Sequence, residues 1–239
     1  MDALRYDVRM CGRYELHSSP ATLAFTLSLK HPPDIQARYN IAPTQHVPIV
    51  RLNRDDEREL SQVRWGLVPF WAKDPSIGSK MINARSETIA TKPGFREAYR
   101  KARCLIPASG FYEWAKMTDD SKQPVRVAMR DEDPFAFAGL WSRWGPKDGE
   151  QLETCTIITT EANELCQPVH DRMPVIRARE NYERWLDVSE PDPADLLCPF
   201  DSAAMRAYPV STRVNSPKND DAELIAPLAV SWGVGSLRP

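Results

Sequence analysis

The chain has 239 residues, 42% hydrophobic and 27% charged, with a formal net charge of −2. That is the balance of a water-soluble globular protein of one domain, or two small ones. No apolar run reaches the roughly 18 residues that a membrane span needs, and Met1 to Arg9 carry no apolar stretch of the kind a secretory signal requires. Proline (21) outnumbers glycine (10), which implies stiff extended segments and rigid turns. In chain order, Ser18, Ser19 and Pro20 open a short helix over 21–30. Strands are expected over 46–52 and 59–68, joined by a charged hairpin loop at 53–58. Residues 86–103 are expected to be helical but interrupted, the second part starting at Pro93. Strands follow at 103–114, 124–130, 135–144 and 153–160, the last rich in β-branched residues. Helices are expected at 161–167 and 179–188, and a strand at 205–210 in a turn-rich tail.

Strands dominate and most connections are too short for crossover helices. The expectation is a single α+β domain with a mostly antiparallel, barrel-like or bifurcated β core flanked by short helices. The five cysteines (Cys11, Cys104, Cys155, Cys166, Cys198) are odd in number and widely spaced, with no CxxC. They fit reduced thiols in a cytoplasmic protein rather than disulfides or a zinc site. Charge is uneven. Between Arg64 and Arg103 nine basic residues meet three acidic ones, and between Asn181 and Asp201 six acidic residues face only Arg184. The first stretch could carry a polyanion, or simply form solvated helix faces.

Four places hold residues able to do chemistry. Cys11 stands beside Gly12 and Arg13, where a cation would lower its thiol pKa; the alternative is a small buried residue before the first strand. Asn83 precedes Arg85 and Glu87, and could cap or turn the backbone; Arg85 could bind phosphate or pair with Glu87. Glu113 lies between Tyr112 and Trp114 in an expected strand. In apolar company it would suit proton transfer, whereas simple alternation would turn it to solvent. His170 is a proton shuttle or a loop histidine held by Asp171. His17, His31 and His46 have no such context. From these residues alone the choice lies between a thiol hydrolase and chance.

The ordered segments MCGRY, RYNIAP (38–43), WGLVPFWAKD (65–74), INARSET (82–88), PASGFYEW (107–114) and PVHDRMP (168–174) resemble the SRAP family, named for SOS-response-associated peptidase, whose members are also called abasic-site processing proteins. The tail from Pro209 to Ile225 fits the same pattern. The resemblance implies a protein that binds single-stranded DNA at abasic sites and forms a covalent crosslink through an N-terminal cysteine, here Cys11. It implies catalytic roles for Asn83, Glu113 and His170. It places Gly12, Arg13, Asn40, Trp65, Phe70, Trp71, Arg85 and Thr159 at the DNA, the arginines on phosphates and the aromatics as apolar or stacking surface; the alternative for the aromatics is core packing, and at least one of Trp65, Phe70 and Trp71 is expected to be core. It implies no cofactor and no metal, a monomer, and no membrane. In the family the cysteine directly follows the initiator methionine, while here Met1 to Arg9 precede Met10. The expectation is that these nine residues are a misassigned start or a removed propeptide, with the domain running over 10–239. If the extension stays, non-covalent DNA binding is the alternative; a thiol peptidase is a third reading.

Overall fold

A computed structural model describes residues 12–146 and 148–229. Its centre is a ring of five strands. β3 (His46–Leu52), β4 (Arg58–Trp65), β6 (Arg103–Ala108), β9 (Phe135–Trp144) and β10 (Leu152–Glu161) pair in the cycle β10–β4–β3–β6–β9 and back to β10, which closes a barrel. All these pairs are antiparallel except β10 with β4. Closure leaves the ring itself without an exposed edge. Beyond residue 157, β10 outruns the barrel: β5 (Asn83–Arg85) lies parallel to it and β11 (Arg172–Pro174) antiparallel. β12 (Ile176–Arg177) pairs antiparallel with β9. The core is thus bifurcated, as expected, and the parallel pairings are the departures from an antiparallel sheet.

A second sheet of order β13–β8–β7–β1–β2 packs beside the barrel. It comprises β1 (Tyr14–Leu16), β2 (Arg38–Ile41), β7 (Gly110–Lys116), β8 (Lys122–Met129) and β13 (Met205–Pro209). The single strand expected over 103–114 is two strands, because the chain steps from barrel to second sheet at Ser109. Its N–H donates to the Glu15 carbonyl (2.8 Å) and its Oγ accepts from the His17 N–H (3.0 Å). An aromatic cluster joins the two sheets. Tyr14 makes edge contacts with Trp65 (5.5 Å between centroids) and Phe137 (5.8 Å), and Phe111 meets Phe137 at 6.1 Å. β7 also covers a smaller cluster on its other face, where Tyr112 packs with Val210, Val214 and Leu224.

The helices are shorter than expected. α1 (Pro20–Leu27) is capped by the Ser19 side chain, which accepts from the Thr22 N–H at 3.1 Å. α2 (Arg96–Lys101) begins three residues after Pro93, and α3 (Tyr182–Leu186) follows a 3₁₀ turn at Arg179–Asn181. No helix forms over 161–167. Asn163 Oδ1 takes the Cys166 N–H (3.0 Å), and Pro168 offers no N–H to continue a helix, so the segment closes as turns. The strand expected to reach residue 68 ends at Trp65, because Gly66 turns the chain with φ +130°.

Candidate functional site

β1 is only three residues long, and neighbours on both sides hold it. Tyr14 pairs with Phe111 on β7 and with Ile41 on β2, and the Tyr112 N–H donates to the Arg13 carbonyl at 3.0 Å. Continuing this antiparallel register by two residues brings Gly12, the first described residue, opposite Glu113. Glu113 is 3% exposed. On β7 it shares a face with Phe111 and Ala115, both part of the main core. The alternation that would have turned Glu113 to solvent does not operate, because β7 is covered on both faces.

The turn at 163–170 carries both Cys166 and His170. The Glu113 charge reaches Cys166: burial, and then that charge, push the Cys166 thiol up to about 12. The His170 N–H donates to the Cys166 carbonyl at 3.0 Å. His170 Nδ1 accepts from the Arg172 N–H at 3.0 Å. Asp171 Oδ1 also lies 2.9 Å from Nδ1, but its carboxylate is largely in water. Nδ1 thus has a donor, the Arg172 N–H, and an acceptor, the Asp171 carboxylate, within hydrogen-bond distance.

β10 aligns the remaining polar residues. Asn83 is opposite Ile157, and Thr159 is flanked by Arg85 on β5 and Pro174 on β11. Arg85 is exposed and makes no ion pair among the described residues. Arg172, a residue that motif reading did not single out, reaches across β10. Its Nη2 donates to the Thr159 carbonyl (2.7 Å) and to Glu87 (3.0 Å), and its Nη1 to the other Glu87 oxygen. The bond from Arg172 holds the Glu87 carboxyl below its ordinary range, against the smaller opposing effect of burial. Nothing in the PVHDRMP segment marked Arg172 apart from its neighbours. Glu87 pairs with this arginine rather than with Arg85.

The aromatic loop is rigidly based. A Cβ on Gly66 would lie 2.6 Å from the Gly78 carbonyl oxygen, so the two backbones touch at the loop's neck. The Val68 N–H donates to Thr154 Oγ1 (2.9 Å), and the Trp144 indole donates to the Ala72 carbonyl (2.7 Å). From this base Phe70 (65% exposed) and Trp71 (50%) project into solvent. Lys73 and Lys80 line the same 270 Å³ hollow as Trp71.

Three residues expected at the DNA are buried. Trp65 is 1% exposed, with its indole N–H on the Ile82 carbonyl at 2.9 Å, so it is core and cannot stack on a base. Asn40 is fully buried; its amide donates to the carbonyls of Val214, Ser216 and Asn219 and ties β2 to the tail. Thr159 is buried between β5 and β11. Arg13 is half-buried, and one of its Nη groups already donates to Asn40 Oδ1 and the Val214 carbonyl, both at 2.7 Å. Burial lowers its pKa from the ordinary arginine value. Cys11 lies outside the described residues. Cys104 and Cys155 are buried in the barrel, where desolvation pushes both thiols up. Among the described residues no cluster of His, Cys, Asp and Glu could hold a metal ion, and no helix is long and apolar enough to cross a membrane.

Three comparisons agree. The abasic site processing protein YoqW of Bacillus subtilis is 45% identical over 222 residues, which cover 90% of this chain and 99% of that protein. The abasic site processing protein YedK of Escherichia coli is 31% identical over 92% of this chain and all of its own length. A crystal structure of a protein from Bacteroides thetaiotaomicron superposes with a TM-score of 0.80 at 31% identity, covering 91% of this chain and 100% of that one. The model of the SOS response associated peptidase (SRAP) family matches residues 10–217, and the chain belongs to that family.

Proposed function

We propose that this protein processes abasic sites in single-stranded DNA by forming a covalent crosslink through Cys11, once Cys11 is the first residue of the chain. The names of the curated relatives support the substrate. The observation that carries the reading is Glu113, a carboxyl group buried on β7 where the β1 register delivers Gly12. An N-terminal cysteine offers an amine and a thiol on adjacent carbons, and a ring-opened abasic sugar is an aldehyde. The α-amine, with a reference pKa of about 8, is partly neutral near neutral pH.

The amine nitrogen attacks C1′ of the open sugar, and the carbonyl oxygen takes up a proton to give a carbinolamine. Water leaves and a C=N bond forms. The thiol sulfur then adds to the same carbon, the nitrogen regains a proton, and a five-membered thiazolidine closes. Glu113 takes the proton from the attacking amine and returns one to the departing hydroxyl. His170 assists opening of the sugar ring by moving a proton. Asn83 holds the sugar or the amine by hydrogen bonds. Arg85 takes a flanking phosphate, as does the free part of Arg13. Phe70 and Trp71 supply stacking surface that tolerates any base, which suits a lesion with no base of its own. The reaction requires residues 1–9 to be a misassigned start or a removed propeptide and Met10 to be removed, since an internal Cys11 has a peptide nitrogen in place of the amine.

The test uses protein whose intact mass begins at Cys11, single-stranded DNA with one abasic site, and a denaturing gel. The expected result is a slower DNA band that Cys11→Ala abolishes. A mass-verified protein that gives no such band, yet retards the DNA in a native gel, refutes crosslinking in favour of non-covalent binding.

A further inference from the structure

Glu15 is the least expected residue in the second sheet. It is a fully buried carboxylate in a three-residue strand. Burying a carboxylate costs several kcal/mol unless it is paired and hydrogen-bonded. Here it is both. Oε1 accepts from Arg126 Nε (2.7 Å) and Nη2 (2.6 Å), and Oε2 accepts from the Tyr112 hydroxyl (2.8 Å). Arg126 is itself fully buried and anchored on its far side by Glu132 and the Tyr208 hydroxyl. His17 Nε2 stands 3.5 Å from Oε1. Residue 110 is glycine where the carboxylate passes: a Cβ there would lie 2.5 Å from Glu15 Oε1.

The partners fix a direction. Tyr112 pairs with Arg126 across β7 and β8. Tyr112 and Gly110 point to the face of β7 opposite Glu113. The carboxylate therefore pins β1 to β7 from behind Glu113. Sliding β1 by one residue would turn Glu15 to the other face and strand Arg126 without its partner. β1 is too short for its backbone pairs to resist such a slip alone.

On the reading that Cys11 crosslinks abasic DNA, we propose that Glu15 is a positioning residue which sets the register of β1 on β7, and so the distance between the chain's reactive start and Glu113. It touches neither DNA nor the reacting atoms. Replacing it disturbs the chemical step and leaves DNA binding intact.

The experiment compares wild type, Glu15→Gln, Tyr112→Phe and the apolar pair Glu15→Leu/Arg126→Met, all beginning at Cys11. Two readouts are taken: single-turnover crosslinking over a range of DNA concentrations, and amide hydrogen exchange of residues 13–16. Glu15→Gln is expected to lower the maximal rate by about tenfold or more. The DNA concentration for half-maximal rate stays within about twofold, since no phosphate or stacking contact is lost. Exchange in β1 accelerates while β3 and β4 keep their protection. The apolar pair recovers thermal stability, as buried ion pairs replaced by well-packed apolar groups do, yet stays slow. Tyr112→Phe removes a hydroxyl that meets both Glu15 and, at 2.8 Å, the Tyr39 carbonyl of β2, without removing a charge; it serves if the charge variants do not fold, and its β1 exchange and rate shift the same way. Wild-type rate and exchange in Glu15→Gln or Tyr112→Phe overturn the proposal. So does recovery of the rate together with stability in the apolar pair. If wild type does not crosslink, the reaction assigned above falls, and the exchange comparison still decides whether Glu15 holds β1.

Discussion

Two tryptophans six residues apart test the division between scaffold and DNA surface. Trp65 has 1% of its surface exposed, donates its indole N–H to the Ile82 carbonyl, and packs edge-on against Tyr14. Truncating a buried Trp to Ala costs about 3–5 kcal/mol. In a domain of this size each kcal/mol moves Tm by roughly 2–4 °C, so Trp65→Ala is expected to melt about 6–20 °C below wild type. Trp71 is half exposed, and its indole donates to the Pro93 carbonyl at 3.3 Å, a surface bond. Its truncation changes stability by no more than about 0.5 kcal/mol. Losing a base stack costs about 1–3 kcal/mol, which is roughly 5–150-fold in Kd. The assays are a thermal melt and fluorescence anisotropy with a labelled single-stranded oligonucleotide, in a Cys11→Ala background that keeps binding non-covalent. A Trp71→Ala protein that binds like its parent removes the aromatic loop from the DNA surface. A Trp65→Ala protein that melts like its parent contradicts its place in the core.

The neck of that loop gives a second test. Gly66→Ala places a methyl 2.6 Å from the Gly78 carbonyl at φ +130°. Backbone strain of about 1–3 kcal/mol plus overpacking of similar size should lower Tm and weaken DNA binding together, because Phe70 and Trp71 ride on this base; an unchanged melt refutes the backbone contact. A third concerns pH. Arg172 depresses the Glu87 carboxyl in the folded state, so the pair's contribution is complete above the unfolded glutamate value of about 4.3 and is lost as pH falls through the lower folded value. Glu87→Gln should therefore melt a little below wild type near neutral pH, by no more than about 1 kcal/mol for so exposed a carboxylate. The two curves should merge in acid; a gap that widens below pH ~4 would reverse the sign.

The parts of the fold legible from the chain were those whose pattern is long enough to repeat. β3 and β9 run seven and ten residues and fall within the expected bounds. β1, β5, β11 and β12 have two or three residues each. No period shows over so short a stretch, and their pairing is dictated by β7, β9 and β10. The site divides in the same way. Cys11, Asn83, Glu113 and His170 were legible as residue types in ordered motifs. Their surroundings were not. Asn40 and Trp65 stand in the same motifs as surface residues, and only the tertiary structure shows that one ties β2 to the tail and the other fills the barrel wall. Glu113 is the sharpest case. The rule that a polar residue between two large apolar ones faces water assumes a strand with one wet face. β7 has none, with the main core on one side and the Tyr112–Val210–Val214 cluster on the other.

That double burial bears on how the site works. Each described polar group near it is held from a rigid element: Glu113 by a strand between two cores, His170 by the backbone N–H of Arg172, Arg172 by Thr159 on β10. The closed barrel fixes β10, and β10 projects beyond it to carry β5 and β11. A preorganised frame of this kind suits a reaction whose partners form their bonds in sequence on one carbon, because proton donors and acceptors need not move between steps. On the proposed reaction, the reacting end of the chain adjoins Gly12, which precedes the three-residue strand β1. Precision there cannot come from the backbone of β1 alone, and a buried charge pair behind β7 supplies a specific register where three residues of pairing would tolerate a slip.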